Sequence, residues 1–90
     1  MSQRYRLRLA GPAAKALAEV LPEKVAAAAH EFITGPLLDS PSQVGKPLVP
    51  PLAPQWTARR GTYRILYTID DSRGIVTVTA IRHRADAYRA

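Results

Sequence analysis

Arginine interleaved with tyrosine is the feature of this chain that is best suited to chemistry. Residues 56–71 read WTARRGTYRILYTIDD, and residues 81–89 read IRHRADAYR. A guanidinium group grips phosphate through paired, planar donors, and an aromatic ring can stack on an unpaired base. Both residue types fall where strands are expected to hold them on a fixed surface. The pattern therefore favours RNA as the ligand.

Strand periodicity assigns Arg64 to one face of the predicted sheet. Over residues 63–69, the tyrosines and isoleucines share the face that helices are expected to cover, and Arg64, Leu66 and Thr68 share the other. Arg64 then either binds a ligand or pairs with a carboxylate such as Asp86. Arginines outnumber acids in this region, which favours a functional Arg64.

A preceding strand is predicted over residues 55–60. Alternation puts Gln55, Thr57 and Arg59 on one face and Trp56, Ala58 and Arg60 on the other. Trp56 is assigned to the core because it is large and has apolar neighbours. Lys46 precedes this strand in a proline-rich connector over residues 37–54, which we expect to be extended and stiff.

The last predicted strand covers residues 75–82. Strict alternation puts Val76, Val78, Ala80 and Arg82 on one face and Ile75, Thr77, Thr79 and Ile81 on the other. Apolar residues on both faces indicate a central strand with Arg82 at its end. His83 either shuttles a proton near neutral pH or is structural. Tyr88 either stacks on a base, acts as an acid or base, or packs the tail onto the sheet.

Charge and composition limit the classes of function. The 90 residues carry 13 Lys+Arg against 7 Asp+Glu, for a net charge of +6, which favours a polyanionic partner over a surface kept basic for solubility. The absence of cysteine excludes disulfides and thiolate zinc sites. Two distant histidines argue against a transition-metal site. No stretch resembles a signal peptide or a membrane helix. We therefore expect a cytoplasmic protein with no cofactor.

The elements that must position these residues follow in the order β-α-α-β-β-β. Residues 4–9 alternate as a strand, and residues 13–21 and 25–33 carry apolar side chains at helical spacing. Pro22 separates the two helices and Gly35-Pro36 ends the second. We predict one α+β domain over residues 1–90. In it, the N-terminal strand and a two-helix hairpin pack on one face of a small, mainly antiparallel four-stranded sheet.

In the order and spacing of its motifs, nearly the whole chain resembles the RelE/ParE superfamily of toxin–antitoxin toxins, and the RelE branch more closely. The matching pieces are the strand–helix–helix opening, Gly45-Lys46-Pro47-Leu48, Trp56-x-x-Arg59, Gly61-x-Tyr63-Arg64-Ile65-x-Tyr67-x-Ile69-Asp70 and His83-Arg84-x-x-x-Tyr88. This resemblance implies the RelE-like fold. It also implies a cognate antitoxin as partner, and an acidic antitoxin would suit a surface rich in arginine.

The same resemblance implies a metal-independent endoribonuclease that cleaves messenger RNA at the ribosomal A site and inhibits translation. In that chemistry a ribose 2′-hydroxyl attacks the adjacent phosphate. The resemblance gives Arg64 the stabilisation of the phosphorane, Arg82 the leaving group and Tyr88 the orientation of the nucleotide. His83 is a further catalytic candidate. The implied RNA-binding residues are Lys46, Arg59, Arg60 and Arg84.

Two positions depart from the family pattern. The best-studied RelE-type chains have lysines where this chain has Gln55 and Thr57, and neither residue supplies a cation. Arg59 or Lys46 is the candidate to replace them. Two alternatives therefore stay open: a ParE-like inhibitor of DNA gyrase, and a catalytically weakened RelE-like protein that only binds antitoxin or RNA.

Overall fold

A sheet of five strands with helices on one face makes up residues 4–83, which are the residues that the structure, a computed structural model, describes. The strands are β1 (Arg6–Leu9), β2 (Lys46–Pro47), β3 (Trp56–Arg60), β4 (Tyr63–Asp70) and β5 (Ile75–His83). The helices are α1 (Gly11–Lys15), α2 (Glu23–Thr34) and α3 (Pro36–Asp39).

The strands lie in the order β1-β5-β4-β3-β2, so β5 is an interior strand between β1 and β4. β1 pairs with β5 in parallel, and every other pair is antiparallel. A parallel pair needs a crossover connection, which the helices supply. The predicted α+β fold with a mainly antiparallel sheet is confirmed. The additional strand, β2, lies in the connector and has only two residues.

The helices begin and end at the glycine and proline signals of the sequence. Pro12 occupies the first turn of α1, which continues as a π-helical turn over Ala16–Val20. α2 is amphipathic and buries Ala29, Phe32 and Ile33. It ends before Gly35, as predicted, but the chain then forms the single helical turn α3. No helix in residues 4–83 is long and apolar enough to cross a membrane.

The core lies between the helices and one face of the sheet. Its largest fully buried side chains are Ile33, Leu37, Ile65, Tyr67, Val76 and Val78. Trp56 stacks on Tyr67 with ring centroids 6.4 Å apart and an interplanar angle of 24°. The prediction that tyrosines and isoleucines of β4 point toward the helices is confirmed. The opposite side of the sheet, which carries Arg64, is called the open face below.

A β-bulge in β5 changes which side chains reach the open face. Leu66 of β4 pairs with Ala80, but the next residue, Tyr67, pairs with Val78, so Thr79 has no partner. Because one extra residue reverses the alternation, Val78 and Ile81 both point into the core. The prediction that Arg82 shares a face with the buried valines is therefore wrong. Arg82 points to the open face instead.

The connector before β3 is held onto the sheet at three places. The Tyr67 hydroxyl donates to the carbonyl oxygen of Pro41 at 2.7 Å, and the Leu48 amide donates to the carbonyl oxygen of Gln55 at 2.8 Å. At Gly45 the backbone lies so close that an added Cβ would sit 2.6 Å from the carbonyl oxygen of Thr57. These contacts fix β2 as the edge strand.

Candidate functional site

Three arginines lie side by side on neighbouring strands. Arg59 of β3 is directly opposite Arg64 of β4, and Arg64 is directly opposite Arg82 of β5. Residues directly opposite each other project from the same face, and all three of these side chains are exposed. Neighbouring strands lie about 4.8 Å apart, so the three backbone positions span about 10 Å. We call this set the arginine row.

The arginine row lies on the open face because its sequence neighbours fill the core. Ala58, Ile65 and Ile81 flank the three arginines along the strands, and all three are buried on the helix side. A strand alternates its side chains between faces, so burying these neighbours turns each arginine outward. The fold therefore holds the row against a rigid, packed backbone.

No carboxylate neutralises the arginine row among the residues that the structure describes. The ion pairs found there join Arg4 with Asp39 at 2.6 Å and Arg73 with Asp70 at 3.9 Å. Both pairs lie at the opposite end of the sheet from the row. Like charges placed directly opposite each other repel, so the row favours an anion that can bridge several guanidinium groups.

Lys46 extends the cationic surface across β3. Its register partner is Thr57, and Thr57 is opposite Leu66 of β4, so Lys46 also projects from the open face. Arg59 is the diagonal neighbour of Lys46, a separation of about 7–8 Å that long side chains can bridge. The predicted RNA-binding residues Lys46 and Arg59 thus lie beside the predicted catalytic residues Arg64 and Arg82.

Arg60 lies on the opposite face from the arginine row. Its guanidinium carbon is 4.5 Å from the centroid of the Phe32 ring, a cation–π contact, and its side chain donates to the carbonyl oxygen of Arg59 at 3.0 Å. The sequence alternation also places Arg60 with Trp56, on the face away from the row. Arg60 covers the rim of the core, and its role in RNA binding stays a prediction.

His83 is also turned away from the row. Its register partner is Tyr63, which is buried on the helix side, so the two share that face. The structure therefore does not bring the predicted catalytic His83 beside Arg64. Two other predicted site residues, Arg84 and Tyr88, lie outside the described residues, and their assignments stay predictions.

Gln55 and Thr57, which stand where lysines were expected, differ from each other in their surroundings. Gln55 lies beside the bulge, where its Oε1 atom accepts a hydrogen bond of 2.9 Å from the Thr79 hydroxyl. Thr57 shares the open face with Lys46, and its hydroxyl oxygen is buried with no hydrogen-bond partner in the described part of the chain. Neither residue supplies a charge. The cations of this surface come from Lys46 and the arginine row.

Known proteins match the chain over nearly its full length. Residues 3–88 match the family described as the ParE toxin of the type II toxin–antitoxin system parDE. Toxin RelE of Mycobacterium tuberculosis is 45% identical over 85 residues, covering 94% of this chain and 87% of the relative. Toxin RelG of the same organism is 51% identical over 69 residues, covering 77% of this chain and 79% of the relative.

Solved structures of toxin–antitoxin complexes also contain chains similar to this one. The toxin–antitoxin complex RelBE2 of Mycobacterium tuberculosis contains a chain similar to this one, with a TM-score of 0.86 and 43% identity over 91% of this chain and 100% of that chain. The intact RelBE complex of E. coli matches with a TM-score of 0.70 and 20% identity, over 88% of this chain and 95% of that chain, which supports the fold alone. The chain belongs to the RelE/ParE superfamily of type II toxin–antitoxin toxins, and to its RelE branch.

Proposed function

We propose that the chain is a metal-independent endoribonuclease that cleaves messenger RNA at the ribosomal A site and thereby inhibits translation. The observation that carries this proposal is the arginine row, with Arg59, Arg64 and Arg82 adjacent on one exposed face. The residues that the structure describes offer these guanidinium groups no carboxylate partner. An RNA phosphate is the ligand that such a row suits best.

Charge development in the reaction explains why the row would catalyse it. When a 2′-oxygen attacks the adjacent phosphorus, negative charge builds on the equatorial oxygens of the phosphorane. Preorganised cations stabilise that charge more than they stabilise the ground state. Arg64 is central in the row and has a guanidinium group on either side. We assign Arg64 to the phosphorane, Arg82 to the leaving-group side and Arg59 to a neighbouring phosphate.

A cognate antitoxin is the expected protein partner. The similar chain of known structure from Mycobacterium tuberculosis was solved in a toxin–antitoxin complex. We propose that the antitoxin of this chain is acidic and covers the open face, because the exposed row would then gain the anionic partners that it lacks within residues 4–83.

Primer extension on messenger RNA from expressing cells tests the endoribonuclease proposal. We expect cuts at codons in the ribosomal A site, together with growth arrest. Arg64→Ala should reduce cleavage by about 10²–10³-fold, the usual effect of removing one preorganised donor. Arg64→Lys should recover only part of this loss, since an ammonium group cannot grip phosphate with two parallel donors.

Arg8→Ala is the matched control for these variants. Arg8 is also an exposed strand arginine, but it is opposite Thr77 near the β1 edge and away from the row. We expect this variant to cleave as the unmodified protein does. Absence of A-site cuts in cells expressing the unmodified protein at toxic levels would refute the proposal.

Gyrase inhibition is the second candidate, because the matching family carries the ParE name. In that case cells should stop replicating DNA while translation continues, and Arg64→Ala should leave the toxicity unchanged. A third outcome, antitoxin binding with neither cleavage nor replication arrest, would indicate a protein that has lost its activity.

A further inference from the structure

A hydrogen bond between two side chains crosses the open face beside the arginine row. Gln55 directly precedes β3 and Thr79 is the bulge residue of β5, so β4 lies between them. The Thr79 hydroxyl donates to Oε1 of Gln55 at 2.9 Å. The two side chains therefore meet above β4, and the hydrogen bond fixes the orientation of the Gln55 amide.

This pair of side chains lies close to the central arginine of the row. The Thr79 hydroxyl oxygen is 3.2 Å from the carbonyl oxygen of Leu66, and Leu66 comes two residues after Arg64 on β4. Two residues of a strand span about 7 Å, and their side chains share a face. A nucleotide attached to a phosphate that Arg64 holds can therefore reach the Gln55 amide.

The hydrogen bond with Thr79 leaves the donors of the Gln55 amide free. A glutamine amide has an oxygen that accepts hydrogen bonds and an NH₂ group that donates two. Oε1 is occupied by the Thr79 hydroxyl, whereas Nε2 is open to solvent and has no hydrogen-bond partner in residues 4–83. Gln55 thus presents two donors to a ligand that lies on the open face.

Resting on the proposed function, we infer that Gln55 is a specificity-determining residue that reads a base next to the scissile phosphate and favours guanine. Guanine carries two acceptors, N7 and O6, on one edge, and they match the two donors of Nε2. Adenine and cytosine place an amino donor on that edge, and uracil offers a single acceptor. The arginine row holds phosphate and so carries no sequence information itself.

The surface around the Gln55 amide suits a base better than it suits a second phosphate. The register places uncharged, half-buried side chains there, between the arginine row and the far end of the sheet: Thr57, Leu66, Thr68, Thr77 and Ala80. A ligand site typically combines such a neutral lining with a few fixed polar groups that determine orientation. A planar base can lie on this lining while its edge bonds to Nε2.

Exchanging Gln55 tests whether it reads a base. We would programme ribosomes with messenger RNAs whose A-site codons differ by one nucleotide, at each codon position in turn, and measure cleavage by the purified protein. At the position that Gln55 reads, the unmodified protein should cleave about fivefold or more faster with guanine than with adenine. Gln55→Ala should remove this preference. Gln55→Glu should shift it toward adenine or cytosine, because a carboxylate accepts from their amino groups.

Thr79→Ala tests the orientation of the amide. This variant keeps Gln55 but releases Oε1, so the amide can turn and offer an acceptor as well as donors. The ratio of cleavage with guanine to cleavage with adenine should therefore fall toward one. A purely structural role of the hydrogen bond would lower cleavage at every codon equally and leave this ratio unchanged.

Gln43→Glu is the matched control, because Gln43 is an exposed glutamine of the connector and its exchange makes the same change of charge. It should keep the codon ratios of the unmodified protein. Unchanged ratios in Gln55→Ala, or equal cleavage at all codons by the unmodified protein, would overturn the inference and leave the endoribonuclease proposal intact. No cleavage by the unmodified protein would overturn both. If Gln55→Ala fails to unfold cooperatively, the isosteric Gln55→Glu decides the question.

Discussion

Arg64 and Arg82 are directly opposed across β4 and β5, on the face of the sheet that the helices leave open. This opposition depends on the bulge at Thr79. If every residue of β5 were paired in strict alternation, Arg82 would share the face of Val76 and Val78, and its charge would point into the core. The bulge therefore both protects the core and completes the arginine row.

Removing one member of this opposed pair should make the protein more stable. Arg64→Ala relieves repulsion on both sides of the row, so we expect its free energy of unfolding to rise by about 0.2–1 kcal/mol at low salt. The gain should shrink as salt screens the charges. Urea unfolding at low and high ionic strength measures both effects. Arg8→Ala, opposite Thr77, should show no such gain. A loss of stability in Arg64→Ala would contradict the repulsion argument.

Deleting Thr79 should leave Arg82 on the open face. Thr79 is the extra residue of the bulge, so its removal restores regular pairing between β4 and β5 and keeps Ile81 in the core. We expect cooperative thermal unfolding in circular dichroism, with a cost of about 1 kcal/mol from the lost hydroxyl contacts with Gln55 and Leu66. Thr79→Ala is the matched control, since it loses the same contacts and keeps the bulge. A deletion variant without cooperative unfolding would show that the bulge itself is needed for the fold.

Gly45→Ala should displace the connector that carries Lys46. An added Cβ would meet the carbonyl oxygen of Thr57 at 2.6 Å, a backbone atom that cannot move aside cheaply. We expect a loss of about 1–3 kcal/mol in the free energy of unfolding, the usual cost of overpacking, and reduced cleavage. Denaturant unfolding measures the first effect. Gly11→Ala is the control, since a Cβ there meets nothing within 4 Å. Equal stability of the two variants would contradict the close approach at Gly45.

Tyr67 should make stability fall at alkaline pH. Burial raises the pKa of its phenol from 10.0 to about 12, so the folded state favours the neutral form. The stability that the neutral Tyr67 phenol contributes is fully present below about pH 10. It is lost as pH rises through about 12, which changes the free energy of unfolding by about 3 kcal/mol at most. Urea unfolding at increasing pH should therefore show a shallower decline in Tyr67→Phe than in the unmodified protein.

The same variant has a second expected effect at neutral pH. Tyr67→Phe leaves the carbonyl oxygen of Pro41 without its 2.7 Å hydrogen bond, which should cost about 1–3 kcal/mol. Thr68→Ala, a neighbour on the open face with no such bond, serves as control. If stability fell as steeply with pH in Tyr67→Phe as in the unmodified protein, other groups would be the cause of the decline. Tyr63 is one candidate, because burial also raises its pKa.

Local periodicity predicted β3 and β4 correctly because the buried residues of each strand, Ala58 in β3 and Tyr63, Ile65 and Tyr67 in β4, lie on one face. The faces of Arg59 and Arg64 follow from that alternation alone. The end of β5 was predicted wrongly, since the hydrophobic pattern there fits two phases and only the pairing with β4 shows that Thr79 is skipped. Alternation also puts His83, the residue after Arg82, on the opposite face of the sheet from Arg82.

The assembly of the site depends on register, which a single sequence does not specify. That Lys46 is opposite Thr57 follows from how the connector packs against Tyr67 and β3, contacts between residues far apart in the chain. β2 itself has two residues, one of them a proline, and no strand pattern marks it. Residue type alone identifies the predicted cations, but it does not show that they lie side by side.

The interior position of β5 also determines when the sheet can be completed during synthesis of the chain. β1 emerges first, yet its only strand partner among the described residues is β5, and Arg82 lies on that same late strand. A nascent chain that stops before residue 75 has neither a complete sheet nor a complete arginine row. The row is thus completed only after β5 has been synthesised.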